Sequence, residues 1–198
     1  KKVKDGEITS FEQFILSGNK VMEPEITDFL LRDLEEQLIN FSKTTRVTRS
    51  GRVFSYRASV LVGDKNKYIG LGIGKDKERQ PALRKATKNA KLSLNRIYKG
   101  CGSWECGCSE THSVPFRVEG KSASIRVILI PAPKGTGLVV GDNIKDVLKF
   151  AGIKDVWCKT FGRTKTRLDF VKAAIDALVK TVKVRYSSDM SAKLGGMN

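Results

Sequence analysis

The segment Cys101-Gly-Ser-Trp-Glu-Cys106-Gly-Cys108-Ser-Glu-Thr-His112 gathers three thiols and the only imidazole of this chain. Three thiolates and one imidazole are the donor set of a closed, tetrahedral structural zinc site, with sulfur about 2.3 Å from the metal. Gly100, Gly102 and Gly107 let so short a loop curl around an ion. The Cys-x-Cys step is tighter than the commoner Cys-x-x-Cys, and the competing reading is a metal-free turn with Trp104 packed between modules and some thiols buried. Zn2+, held by Cys101, Cys106, Cys108 and His112, is the expected cofactor. Cys158 lies in an apolar stretch and reads as a core residue. Catalysis would have to use His112, and a Cys–His nucleophile pair would leave the neighbouring cysteines without a role. Asp142, Asp146, Asp155 and Asp169 read as caps or solvated residues, and no acidic pair declares a two-metal site. The chain is expected not to be an enzyme.

The run Tyr68-Ile-Gly-Leu-Gly-Ile-Gly-Lys75 imitates a phosphate-binding loop and fails its requirements. A Walker-type loop ends in Gly-Lys-Ser/Thr, so that a hydroxyl reaches magnesium. Here Asp76 follows Lys75, and Ile69 stands where the first glycine belongs. A dinucleotide fingerprint also fails, because Gly70, Gly72 and Gly74 alternate without the final gap. Alternation with Ile69, Leu71 and Ile73 predicts a strand with one greasy face and one bare face, built for close approach by something large.

Polyanion binding is better supported. The 198-residue chain has a formal charge of +16, unevenly spread: the first 42 residues sum to −4 and the remaining 156 to +20. From Gln37 to Gly63 there is no acid, while Lys43, Arg46, Arg49, Arg52 and Arg57 all fall there. Such a surface attracts nucleic acid first; an anionic membrane or a merely solubilising surface is the alternative. Arg46, Arg49 and Arg52 bracket Gly51, where a flexible backbone can enter an RNA groove, and the arginine fork suits paired phosphate oxygens. Lys65, Lys67, Lys75, Lys77 and Arg79 line the turn beyond the glycine strand, and Lys134, Arg163, Lys165 and Arg167 supply a second set of basic loops. No stretch approaches the roughly 18–20 apolar residues of a membrane span, and no secretory leader is visible; the first residue is not methionine, which leaves room for an earlier segment. The cysteine usage fits a reducing, intracellular setting.

Two modules must position these groups. Residues 1–22 read as an extension that packs only in parts. Pro24 opens a predicted helix to about Leu38, with Ile26, Phe29, Leu30 and Leu34 inward and an acidic outer side assigned to packing. Strands are predicted at Thr44–Arg49, Val53–Val62 and Tyr68–Gly74, then a helix from Pro81 to near Lys99. On that helix Leu83, Ala86, Ala90, Leu94 and Ile97 share one face; Arg84, Lys88, Lys91, Asn95 and Lys99 share the other. Helix, three strands, helix over 23–100 is the order of a double-stranded-RNA-binding domain, which reads shape and phosphates. After the loop 101–112, a second module over 113–182 shows strands around Val114–Val118, Ser124–Ile130 and Asp155–Phe161. A helix capped by Asp142 and ended by Gly152 buries Ile144, Val147, Leu148 and Ala151. A last helix, capped by Thr166 or Asp169, buries Phe170, Ala174, Ala177, Leu178 and Thr181. This is βαβα logic with helices covering a sheet. The basic tail 183–198 is expected to be extended and ordered only by a partner.

Several motifs resemble one family. Gly51-Arg-Val-Phe-Ser-Tyr-Arg-Ala-Ser-Val-Leu-Val-Gly-Asp64, Tyr68-Ile-Gly-Leu-Gly-Ile-Gly-Lys75, Pro81-Ala-Leu-Arg-Lys-Ala86, Ile130-Pro-Ala-Pro-Lys-Gly-Thr-Gly137, Val147-Leu-Lys-Phe-Ala-Gly-Ile-Lys-Asp-Val156 and Lys159-Thr-Phe-Gly162 are similar, in order, to the fifth protein of the small ribosomal subunit. The resemblance runs from about Thr44 to Thr181. It implies an α+β fold: an N-terminal domain related to double-stranded-RNA binders and a C-terminal α/β domain of the ribosomal-protein domain-2-like type with a left-handed βαβ crossover. It implies binding to small-subunit ribosomal RNA, a part in subunit assembly and decoding accuracy near the messenger entry channel, and contacts with the third, fourth and eighth small-subunit proteins. It therefore implies a cytoplasmic, ribosome-bound protein. Arg49, Ser50, Gly51 and Arg52 match the family's RNA-facing loop, and Lys134 to Gly137 its characteristic turn in the second domain. The acidic lead-in and the full cysteine set resemble the archaeal type; because the set is missing elsewhere, zinc is not required for the family's general role. The rival reading is a free-standing double-stranded-RNA-binding adaptor outside the ribosome.

Overall fold

A computed structural model describes residues 11–16, 21–108 and 110–183, so the expectations for most of the first 22 residues and for the tail beyond Lys183 lie outside the described residues. Contacts divide the chain into two compact units. One holds the described residues up to Asp64 together with Gly70–Leu94; the other holds Lys65–Ile69 and the described residues from Asn95 onward.

The first unit opens with α1 (Phe11–Leu16), in which Phe11 and Phe14 are buried and their rings stack. α2 (Pro24–Leu30) begins at its proline but stops eight residues before the predicted end at Leu38. The chain then extends as β1 (Glu35–Thr48), which pairs antiparallel with β2 (Gly51–Gly63). The reason is non-local: the inner end of β2, Ala58 to Gly63, is buried and its backbone groups need a partner strand. Phe29, predicted to face inward, is 58% exposed, and the buried residue of α2 is Thr27.

β3 (Tyr68–Asp76) carries the alternating glycines, and α3 (Arg79–Leu92) lies against them. A Cβ on Gly72 would overlap the Ala86 carbonyl oxygen and sit 2.8 Å from Cα of Ala90; Gly70 meets Ala90, and Gly74 meets Ala82 and Ala86. The bare face is thus filled by the backbone of α3, which approaches through its buried Ala82, Ala86 and Ala90. α3 also ends earlier than predicted. Ser93 donates its hydroxyl to Leu71 O at 2.8 Å, and Leu94–Arg96 adds a fourth strand, β4, beside β3. Leu94 and Ile97 therefore bury from a strand and the loop after it rather than from the helix. The order helix, three strands, helix gains a strand, giving a sheet ordered β1-β2-β3-β4.

The second unit has β5 (Val118–Ser122), β6 (Ile125–Pro131), β7 (Leu138–Val139), α4 (Asp142–Phe150), β8 (Val156–Phe161), α5 (Arg167–Lys180) and a closing 3-10 turn, Thr181–Lys183. Its sheet runs β5-β6-β8-β7; β7 is parallel to β8 and α4 crosses between them, while the other pairs are antiparallel. The first predicted strand shifts to Val118–Ser122, leaving Val114 buried in a loop. α4 and α5 bury the predicted faces, Ile144, Val147, Leu148 and Ala151, and Phe170, Ala174, Ala177, Leu178 and Thr181. Neither helix has a side-chain cap, although Thr166 does stand at the N-cap of α5. Gly141 is the residue before α4, Asp142 pairs with Lys145 instead, and the Thr166 hydroxyl donates to Arg163 O. Gly120 under Ala173 and Ala177 repeats the glycine-on-helix packing of the first unit.

Candidate metal centre and nucleic-acid interface

The Cys/His loop is closed at its neck by a bridge between Gly100 and Ser113, each donating its N–H to the other's carbonyl at 2.9 Å. Within it the donor atoms of Cys101, Cys106, Cys108 and His112 all lie within 4.8 Å of one another. Cys108 Sγ is 3.0 Å from Cys106 Sγ, 3.4 Å from Cys101 Sγ and 3.1 Å from His112 Nε2; Cys106 Sγ is 3.7 Å from that nitrogen. Sulfurs bound at about 2.3 Å around a tetrahedral zinc stand roughly 3.8 Å apart. The donor separations, from 3.0 Å to no more than 4.8 Å, bracket that spacing, and a soft set of three sulfurs and one imidazole nitrogen fits zinc. Trp104 is 91% exposed, so the packed-tryptophan alternative is not what the loop does.

Thiol acidity within the cluster is uneven. The Cys106 thiol is pulled below its ordinary range by its hydrogen-bond contact with Cys108 and by the backbone N–H groups of Lys134 and Cys108. Burial pushes the Cys101 thiol up, reinforced by Cys108 and Cys106. The cluster thus favours thiolate on Cys106 and thiol on Cys101, whose proton metal binding would release. Cys158, predicted to be core, is half-buried in β8, and burial raises its thiol to about 11.

Asp155, read from sequence as a cap or solvated residue, is 4% exposed, as is His112. Its Oδ2 lies 2.8 Å from His112 Nδ1, in a geometry that leaves that buried nitrogen without a hydrogen bond, and its Oδ1 accepts the N–H groups of Gly135 and Gly137 at 3.1 and 2.8 Å. A carboxylate behind a ligand histidine fixes the tautomer that turns the Nε2 lone pair toward the metal. Sequence carried no local sign of this role, because the partners come from Gly135, Gly137 and His112.

The basic residues form a different kind of surface. β1 and β2 continue past the sheet as a two-stranded ribbon whose residues 43–54 are all exposed, with Arg49 and Ser50 at the turn. The β1–β2 register shifts between Leu38 and Asn40, before the ribbon begins. Register places Arg46 opposite Val53 and Val47 opposite Arg52, so Arg46 and Arg52 occupy opposite faces. Lys43 shares the Arg52 face, with its ammonium 3.9 Å from the Phe54 ring centre, and Arg57 shares the Arg46 face. Exposed Val47, Val53 and Phe54 stand among these charges.

Lys65 and Lys67 precede β3 whereas Lys75, Lys77 and Arg79 follow its start by nearly its whole length, so the structure puts these two groups at opposite ends of the strand rather than on one turn. Arg84, Lys88, Lys134, Arg163, Lys165 and Arg167 are exposed. Lys134 pairs with Glu110 at 2.8 Å, which lowers the carboxyl and raises the ammonium. Lys91 is the one predicted RNA contact that is half-buried: its ammonium bonds Asp28 at 2.8 Å and Glu36 at 3.3 Å. Burial would lower its pKa, but those two carboxylates raise it. It thereby neutralises part of the acidic lead-in. A groove between α2 and α3, lined by Pro24, Asp28, Glu36, Leu83, Lys88 and Lys91, brings no further chemistry together.

Comparison with known proteins agrees with this architecture. Residues 34–98 match the family model described as ribosomal protein S5, N-terminal domain, and residues 120–193 match ribosomal protein S5, C-terminal domain. The chain is 49% identical over 193 residues to the small ribosomal subunit protein uS5 of Methanococcus maripaludis, covering 98% of this chain and 86% of the relative. It is 50% identical to that of Staphylothermus marinus, covering 92% and 86%, and 49% identical to that of Ignicoccus hospitalis, covering 91% and 86%.

Proposed function

The chain belongs to the small ribosomal subunit protein uS5 family, and from that premise we propose that it is a structural, RNA-binding constituent of the small ribosomal subunit rather than a catalyst. The observation that carries this reading is the acid-free ribbon of residues 43–54, exposed throughout and charged on both faces. A polyanion held against both faces releases counterions at every phosphate contact, so affinity falls steeply with salt. Arg46, Arg49 and Arg52 supply forks for phosphate, Lys43 and Arg57 extend the strip, and the loops at Lys134 and Arg163–Arg167 add a second area.

Within the subunit, the reading extends to assembly, to decoding accuracy near the messenger entry channel, and to contacts with the third, fourth and eighth small-subunit proteins. Localisation follows as cytoplasmic and ribosome-bound. The functional division is a double-stranded-RNA-binding-like module over 23–100, a metal loop over 101–112 and an α/β module over 113–182. Zinc is the ion that Cys101, Cys106, Cys108 and His112 would hold, stapling the loop and supplying no reaction step. The archaeal type is supported by the relatives above.

Native protein is expected to sediment with small subunits and to crosslink to their RNA through the ribbon. Cellular copies found mainly off the subunits would instead favour the free-standing RNA-binding adaptor. For the metal, carefully purified protein should carry about one zinc ion per chain; metal-free native material would rule the zinc reading out.

A further inference from the structure

The metal loop and the Pro-Ala-Pro-Lys-Gly-Thr-Gly turn at 131–137 converge on one buried carboxylate. Asp155 sits immediately before β8, and its backbone N–H reaches His112 O at 3.2 Å, as does that of Lys154 at 2.9 Å. Its side chain faces His112 through one oxygen and the amides of Gly135 and Gly137 through the other. Both glycines adopt positive φ, +92° and +72°, which turns the two amides toward the same oxygen. A buried charge is tolerated only when it is paired or hydrogen-bonded, and here the turn bonds one oxygen while the imidazole stands 2.8 Å from the other.

Resting on the zinc reading above, we propose that Asp155 is a positioning residue that couples the metal site to the Lys134–Gly137 turn, so that metal occupancy orders the segment presenting Lys134 to a polyanion. With the metal bound, His112 is held by Nε2 and must keep its proton on Nδ1, toward Asp155. The carboxylate then stays in place to accept the two glycine amides. When the metal is removed, the imidazole is no longer pinned, so the tie to the turn through Asp155 weakens.

The test uses the full chain, with zinc content measured before and after treatment with a chelator, and hydrogen exchange followed at individual amides. Chelation is expected to speed exchange at Gly135 and Gly137 at least about tenfold, while amides of α5 between Phe170 and Leu178 keep their protection. Asp155→Asn is expected to bind zinc about 10–100-fold more weakly and, when saturated with zinc, to show the same faster exchange at the two glycines. Unchanged exchange at Gly135 and Gly137 after demonstrated zinc loss overturns the coupling and leaves the zinc reading intact. Equal loss of protection throughout α5 also overturns it, because the metal would then sustain the whole unit. Protein that takes up no zinc at the outset overturns the zinc reading itself, and the coupling with it. Should Asp155→Asn not fold, the chelation arm on the unsubstituted chain decides alone.

Discussion

The β1–β2 ribbon and the Cys/His loop represent opposite ways of writing a function into a chain. The ribbon works by charge that is exposed, repeated and tolerant of position: four cations in residues 43–54, no acid, and both faces open. The loop works by geometry: four donor atoms within 4.8 Å, a closed neck, and a buried carboxylate holding the histidine from behind. Losing one cation from the ribbon removes a share of a distributed attraction. Losing one donor from the loop leaves the remaining three unable to close a tetrahedron. The first surface suits a large, folded polyanion; the second suits one small ion.

The largest expected effect comes from the loop. Cys106→Ser combined with His112→Ala should abolish stoichiometric zinc, a loss of more than about 100-fold in affinity, because half of the tetrahedral donors are gone. Zinc titration checks this. RNA binding measured in parallel should lose no more of its salt dependence than the one contact Lys134 could supply, roughly 0.9 in the log–log slope on a duplex scale, and a larger flattening would break the separation between the two regions.

Next is the packing that anchors the ribbon. Gly72→Ala forces a methyl group into the backbone of α3 and should destabilise the first unit by ~1–3 kcal/mol, read by urea unfolding. An unchanged midpoint would mean that α3 yields more easily than its contacts indicate. Smaller still is the conversion of Arg46, Arg49 and Arg52 together to lysine. Charge is retained, so the salt dependence should hold, while loss of the planar fork weakens RNA binding by a few-fold. A loss of binding as large as that of an alanine series would show that the ribbon depends on geometry after all.

The smallest effect concerns Asp176, whose carboxyl is affected by burial, which raises it, and more strongly by Lys180 and the Lys121 N–H, which bring it below its usual range. A depressed folded-state value stabilises above the unfolded carboxylate range, near about 3.9, and the contribution is lost as pH falls through the folded value. Asp176→Asn should therefore flatten the acid limb of the stability curve slightly without altering stability's dependence on zinc. A steeper acid limb in the variant would contradict this sign.

Sequence patterning exposed those features whose causes are local. The faces of α4 and α5 follow from helical periodicity, and the donor set of the metal loop is contained within 101–112. The glycine strand announced a close approach, although only the packing shows that α3's own backbone makes it. Features set by distant partners were not legible. Residues 31–38 look helical by the spacing of Ile26, Leu30 and Leu34, yet the buried half of β2 recruits Glu35 to Leu38 into β1. Leu94 keeps the phase of α3, but Ser93 bonds Leu71 across the sheet and the chain turns into β4. Asp155 looks like any loop acid until Gly135, 20 residues earlier, and His112 are brought to it.

The most direct test is the salt dependence of binding to small-subunit ribosomal RNA for the unaltered chain and for Arg49→Ala/Arg52→Ala. The double variant should lose about one to two phosphate contacts, reducing the log–log slope by roughly 0.9 per contact on a duplex scale, with zinc content and folding unchanged. An unchanged slope in a folded, zinc-loaded variant would contradict the ribbon's role as the RNA-binding surface.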